Sequence, residues 1–202
     1  MRCLVRIVSS LLLCLGTAYA GVPAAIAPPA EIGKPLPAFQ AELIELTPTA
    51  EKTVSFDSQK NQKVTALIIV GTHCPSTAAY SERMAQLAKT YAAKGVEVIF
   101  VYPSRDEDHA AKVAFHRQKN FAGYLIDDTD GRIGRLLGAQ RTTEVFVTDK
   151  QGRLVYHGAI DDNRDDADAV KEHYAATALD LTLEGKPVTK ISSQVFACQI
   201  HY

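Results

Sequence analysis

The sequence predicts an α/β domain with a mixed central sheet, helices on both faces and an N-terminal extension. Three observations carry this. Residues 64–70 and 96–102 are too apolar for strands with one wet face, so both read as central strands buried on either side. Each is followed by a segment of helical composition, and alternating strands and helices build a parallel sheet covered on both faces. Residues 145–148, a polar turn at 149–152 and residues 154–158 then read as an antiparallel hairpin, which makes the sheet mixed.

Taken in order, the chain opens on a basic stretch with Arg2 and Arg6, a nearly uninterrupted apolar run over 7–15, and Ala18, Tyr19 and Ala20. A short positive region, an apolar region and a small-x-small site predict a signal peptide over residues 1–20, cut after Ala20. The run is short for a membrane span, and no later segment is long and apolar enough for one. A lipid anchor on Cys14 is disfavoured because Leu13 stands where a small residue is wanted. The mature chain is therefore expected outside the cytoplasm, secreted or periplasmic. Residues 21–31, rich in Ala and Pro, read as a flexible leader, and one domain fills 32–202.

Within the domain, residues 53–56 are a short strand candidate. Residues 75–93 are helical, with apolar spacing at Met84, Leu87 and Tyr91 and a stop at Gly95. A second helix covers 109–119, a short strand 124–126, and a short helix 132–137 closes on Gly138. The last helix is expected from about residue 166 to 183, ending at Gly185. The tail, 191–202, reads as irregular or a short edge strand and carries Cys198.

The formal net charge is −1, and about −3 once the two positive charges of Arg2 and Arg6 leave. Nothing in this balance points to nucleic acid. The acidic run 161–166 reads as a solvated turn leading into the first turn of the last helix, where carboxylates suit the dipole. It lacks the glycine a calcium loop needs at its sixth position.

Cleavage after Ala20 removes Cys3 and Cys14, leaving Cys74 and Cys198 of the four cysteines. In an oxidising compartment two such thiols either pair or do redox chemistry. Cys74 follows a central strand and opens a helix. Free backbone N–H groups and the positive end of the helix dipole stabilise a thiolate there. Pro75 suits the first helical position, where its missing N–H costs nothing. The plainer reading is a small buried hydrophobe at a strand end. His73 has three open roles: tuning the thiolate, holding a metal, or bonding a loop carbonyl. His201, three residues after Cys198, would join His73 and Cys74 in a metal site if the tail folded back. No metal or other cofactor is expected.

Several stretches share their order with a known family. Gly33, Lys34 and Pro35 with Pro37 and Phe39 stand at the entry, and His73, Cys74 and Pro75 follow the first long strand. Residues 94–96, 124–129, 141–146, 149–156, Gly158 with Asp161 and Asp162, and a closing segment at 198–200 continue the match. In these the chain resembles the thioredoxin-fold redoxins, and within them a peroxiredoxin-like branch. The resemblance implies a thioredoxin-like fold and a nucleophilic Cys74. It implies a substrate groove around Pro75, Thr77 and Thr143.

Departures from the pattern bear on function. Thr77 stands where thioredoxin-like reductases carry the second cysteine of Cys-x-x-Cys, and Ile68 falls near the place of their buried strand acid. The Pro that precedes a peroxidatic cysteine is missing, the spacing of the Thr is wrong, and Arg141 lies about two residues early for the peroxidase arginine. The Thr-Pro pair of the fold, with its cis-proline, is Thr142 and Thr143 here, so a trans bond is expected. A nucleophile without a local partner needs a resolving thiol from elsewhere. Cys198 is the one in the chain, and the branch also ends in such a cysteine. A mobile tail would bring it to Cys74, with a partner protein's thiol or a small thiol as the alternatives.

The expectation is an exported thiol-disulfide oxidoreductase or antioxidant redoxin. Cys74 attacks, Cys198 resolves and His73 favours the thiolate. Its substrates would be a protein disulfide or thiol, or a hydroperoxide, with an external thiol as reductant. The rivals are an atypical thiol peroxidase and a non-catalytic module that binds a metal or a partner.

Overall fold

The computed structural model describes residues 29–202 apart from residue 48. The expected signal peptide and residues 21–28 of the leader lie outside the described residues. The elements are β1 (Gln40–Leu46), β2 (Glu51–Asp57), β3 (Thr65–Ile69), α1 (Pro75–Ala93), β4 (Glu97–Tyr102) and α2 (His109–Gln118). They continue with β5 (Tyr124–Asp127), α3 (Arg132–Leu137), β6 (Val145–Thr148), β7 (Leu154–Gly158) and α4 (Tyr174–Leu183).

One seven-stranded sheet runs in the order β2-β1-β5-β4-β3-β6-β7. The centre, β5-β4-β3, is parallel, and β6 and β7 extend it antiparallel, as does the β1–β2 hairpin on the other side. All five residues of β3 are buried. Alternate side chains of the central strands feed two separate cores, as a period of two requires. Ala66, Ile68, Val98, Phe100, Val145 and Val147 face Met84, Leu87 and Tyr91 of α1 and Ala178 and Leu179 of α4. Leu67, Ile69, Ile99, Val101 and Phe146 face Ile133 and Leu137 of α3, Leu36 and Phe39 from the entry, and Ile200 from the tail. The fold is thioredoxin-like, with helices on both faces as expected.

Three expectations need correction, and β1 is a strand that the pattern does not predict. β1 carries little apolar signal because only Leu43 of its seven residues is buried, so its pattern is that of a mostly wet edge ladder. The strand expected at 53–56 runs from Glu51 to Asp57, because it pairs along its whole length with β1. The last helix starts at Tyr174 with His173 as N-cap, not near residue 166. The cause is local: Asn163 Oδ1 accepts from the N–H groups of both Asp165 (3.1 Å) and Asp166 (2.9 Å), a side-chain turn that competes with helix. Asp161 is also not solvated: it is buried and accepts from Tyr80 Oη at 3.1 Å and Arg83 Nη1 at 2.7 Å.

The tail is tied down rather than loose. Ile200 N–H donates to Gln140 O at 3.0 Å, Arg105 N–H to His201 O at 3.3 Å, and Tyr202 Oη to Ala139 O at 2.6 Å. Ala30, from the expected leader, also donates to Leu136 O at 3.2 Å.

Met84 is fully buried where α1 meets β3 and β4. Met84→Ala should lower the unfolding free energy by about 2–5 kcal/mol, measured by urea denaturation at constant redox state.

Candidate active site

The site forms where β3 and β4 end. Parallel neighbours end on the same edge, so the loop after β3 (residues 70–74) lies beside the loop after β4 (residues 103–108). Open α/β sheets use this edge for chemistry for the same reason. Gly71 sits at the crossing. A Cβ there would come 2.9 Å from Thr142 Cγ2, so only glycine leaves room for the Thr142 side chain.

Cys74 is the N-cap of α1, in an extended conformation (φ −82°, ψ 124°), with Pro75 following at the helix start. Its carbonyl accepts from Ala78 N–H at 3.0 Å, the first bond of the helix. Its side chain makes no capping bond, so the first-turn amides and the helix dipole are available to a thiolate once the sulfur is reduced. The side chain is buried.

Cys74 is joined to Cys198 by a disulfide with the Cα atoms 6.1 Å apart and 124 residues between them in sequence. The tail reaches it along residues 140–142. Thr142 N–H donates to Cys198 O at 2.9 Å, Gln199 forms an isolated antiparallel bridge with Arg141, and Arg141 Nη1 donates to Ala197 O at 2.8 Å. Thr142 Oγ1 lies 3.0 Å from Cys74 Sγ, and since a disulfide sulfur has no hydrogen, the hydroxyl donates.

The disulfide closes one end of a cleft of about 300 Å³ lined by His73, Pro103, Glu107, Thr142, Ile200 and His201 among others. Glu107 is buried, and its Oε1 accepts from Thr72 N–H at 2.8 Å. Its Oε2 is fully buried with no hydrogen-bond partner. The His73 ring is 80% exposed, with Nδ1 3.1 Å from Thr72 Oγ1 and 3.7 Å from Glu107 Oε1. Its polar contacts are therefore with the loop and the acid. His201 Nδ1 is 3.2 Å from Asp106 Oδ2 at the rim. His73, Cys74 and His201 do share the cleft, but the sulfur is committed to the disulfide. Among the described residues no group of three or more His, Cys, Asp or Glu is placed to hold a metal.

Of the expected groove residues, Pro75 is exposed and lines a second, wider groove of about 780 Å³ together with Phe196 and Arg164. Thr77 and Thr143 do not line either space. Thr77 is fully buried, with its hydroxyl 3.5 Å from Gly71 N–H. Thr143 is buried in a left-handed conformation at φ 60°, rare for a β-branched residue. That conformation sends Thr143 N–H to Ile69 O (2.7 Å) while the preceding amide serves the tail. The bond before it is trans: no cis peptide occurs among the described residues. Thr142 and not Thr143 meets the sulfur.

Glu107 escapes a reading by motif, because an acid in a polar loop is ordinary. The usable signal is its place after β4, since both central strands end on one edge.

A cysteine heading the helix after the central strand of a thioredoxin-like sheet, held in a disulfide, defines a thioredoxin-fold thiol protein. The chain belongs to the Redoxin family, whose model matches residues 31–173. Cys198 lies beyond that match. The thiol:disulfide interchange protein DsbE of Pseudomonas aeruginosa is 31% identical over 133 residues, 66% of this chain and 68% of that protein. An uncharacterized conserved protein from Geobacillus kaustophilus has the same fold, with a TM-score of 0.73 at 22% identity over 90% of this chain and 97% of that one. A hypothetical protein from Sinorhizobium meliloti 1021 superposes with a TM-score of 0.71 at 21% identity, covering 87% and 96% respectively.

Two outcomes follow from this geometry. Closing a long loop restrains the unfolded chain, so the oxidised protein should exceed the reduced one by about 2–4 kcal/mol in unfolding free energy, measured by denaturation with and without dithiothreitol. Thr142→Val keeps the shape and removes the hydroxyl donor. It should raise the Cys74 thiol pKa by about one unit, read from thiolate absorbance in a Cys198→Ser background.

Proposed function

We propose that this redoxin is an exported thiol-disulfide oxidoreductase in which Cys74 is the nucleophile and Cys198 the resolving thiol. The observation that carries the reading is the disulfide from the head of α1 to a tail already paired with residues 140–142. The similarity to DsbE, a thiol:disulfide interchange protein, supports the same class. Export rests on the signal-like first twenty residues. No helix among the described residues is long and apolar enough to cross a membrane.

In the reduced protein the Cys74 thiolate attacks one sulfur of a substrate disulfide. A Cys74–substrate disulfide forms, the substrate's S–S bond breaks, and one substrate thiol leaves. Cys198 then attacks Cys74 Sγ, forming the internal disulfide and releasing the second substrate thiol. Two electrons pass from the protein dithiol to the substrate. An external thiol reductant restores the dithiol. Its attack on the half-buried Cys198 expels Cys74, the better leaving group because its thiolate is stabilised by the helix, and a second reductant thiol then frees Cys198 as the reductant leaves as its own disulfide. The pairing of the tail with residues 140–142 supports an extended, cysteine-bearing segment as the kind of substrate that suits the edge. The wider groove beside Pro75 and the 68% exposed Phe196 gives a protein substrate a landing surface.

Arg141 donates to the tail carbonyl of Ala197, and it is Thr142 that bonds the sulfur. With Arg141 on a tail carbonyl, no cationic donor among the described residues sits at the sulfur, and this favours disulfide exchange over peroxide reduction, which needs a set of donors around the thiolate.

Cys74→Ser should abolish disulfide reductase activity. Cys198→Ser should instead accumulate a mixed disulfide on Cys74 with protein substrates, seen by non-reducing mass analysis. Rapid hydroperoxide consumption with slow disulfide exchange would move the assignment to a peroxidase.

A further inference from the structure

The strand acid of thioredoxins is absent here, with Ile68 in its region, yet disulfide exchange moves protons as well as electrons. A thiol must lose its proton before it attacks, and a departing thiolate must gain one. The cleft holds one buried carboxyl beside the sulfurs. Glu107 Oε1 and Cys74 Cβ each lie 3.6 Å from the point where a Cβ on Gly71 would sit, so the acid and the nucleophile flank the same glycine. Glu107 and both cysteines line the same cleft.

The state of the second oxygen is the informative part. Buried carboxylate oxygens are nearly always hydrogen-bonded. Glu107 Oε2 is one of two buried side-chain polar atoms without a partner among the described residues, the other being His116 Nε2. A disulfide has no hydrogen to offer it. A reduced thiol does. Reduction therefore creates two S–H donors in the cleft that Glu107 lines with both cysteines.

We infer that Glu107 is the proton-transfer residue of this site, taking the proton from each attacking thiol and returning it to each departing thiolate. The inference rests on the oxidoreductase reading above. In the first step the Cys74 S–H proton passes to Glu107, the Cys74 sulfur bonds to the substrate sulfur, and the leaving substrate thiolate takes the proton from Glu107. In the second, the Cys198 proton follows the same path as Cys198 attacks Cys74 Sγ and the remaining substrate thiolate leaves protonated. Both steps balance, with the substrate disulfide as the oxidant. A single carboxyl serves both steps because both cysteines line its cleft.

The surroundings suit this role. His73, 3.7 Å from Oε1 and open to water, gives the proton an exit. Tyr102, at the end of β4, lies beneath, its hydroxyl 3.1 Å from His116 Nδ1. Burial and the nearby Glu107 charge push that hydroxyl well above the ordinary tyrosine range, so it stays protonated. Asp106 and His201 form a pair at the rim. Thr72 N–H holds Oε1 and leaves Oε2 for the thiols.

The test is the rate at which the reduced full-length protein forms its Cys74–Cys198 disulfide with oxidised glutathione, followed by thiol trapping across pH. Glu107→Gln keeps an acceptor for Thr72 N–H. It should slow the reaction roughly 100-fold below about pH 7, since positioned general acid–base groups contribute at least that much. The deficit should close above about pH 9.5, past the ordinary thiol pKa of about 8.5, where hydroxide removes the proton instead. A purely structural role would leave a deficit that does not change with pH, and that result, or a rate equal to wild type throughout, overturns the inference while the oxidoreductase reading stands. Failure of the wild type to react at any pH overturns both. If the variant does not fold, the wild-type profile decides: a plateau below the thiol pKa supports Glu107, and a single unit slope up to it overturns the role.

Discussion

The parallel pairing of β3 with β4 is the constraint on which the site depends. Both strands are buried on both faces, so neither can slip register without moving its whole apolar set to the wrong core. Their fixed ends place two loops side by side at one edge. One loop brings Gly71, His73 and Cys74, the other Glu107. Gly71 permits the close approach, because any side chain there would meet the Thr142 methyl group. The cysteine and the acid are thus neighbours through backbone geometry, with no direct bond between them needed.

The second constraint comes from the hairpin side. β6 lies against β3, so the residues just before it, 140–143, reach the same edge. Thr143 turns the chain in a left-handed conformation, and this gives its amide to β3 and the amide of Thr142 to the tail. The tail therefore has backbone docking contacts in addition to the covalent bond. Tyr202 adds an anchor at the far end by hydrogen-bonding Ala139 O and stacking against Arg135. These contacts present Cys198 to Cys74 as a placed group, which lowers the entropy of closing so large a loop.

The missing local second cysteine then has a structural account. With Thr77 in the fourth position, buried and turned toward Gly71 N–H, the first turn of α1 keeps its dipole directed at one sulfur only. The second thiol, Cys198, comes from the tail and not from the helix.

What the sequence by itself determined is whatever depends on local periodicity and local chemistry. The apolar runs of β3 and β4 mark buried central strands. The glycine stops and the polar turn 149–152 mark element ends, and Cys74 with Pro75 marks a thiol at a helix start. Sequence order also identified the redoxin resemblance. Where the apolar signal was weak, as in the wet edge strand β1, or where side chains captured the backbone, as Asn163 does before α4, local pattern failed. Tertiary structure decided everything that depends on distance between remote residues. It tied the tail to residues 140–142, brought Cys198 to Cys74 across 124 residues, buried Asp161 and Thr143, and set Glu107 in the same cleft as Cys74 with one oxygen unpartnered. The reason is physical: periodicity records which face of an element is buried, whereas the meeting of two loops is set by the shared edge of a sheet, and no single segment encodes that edge.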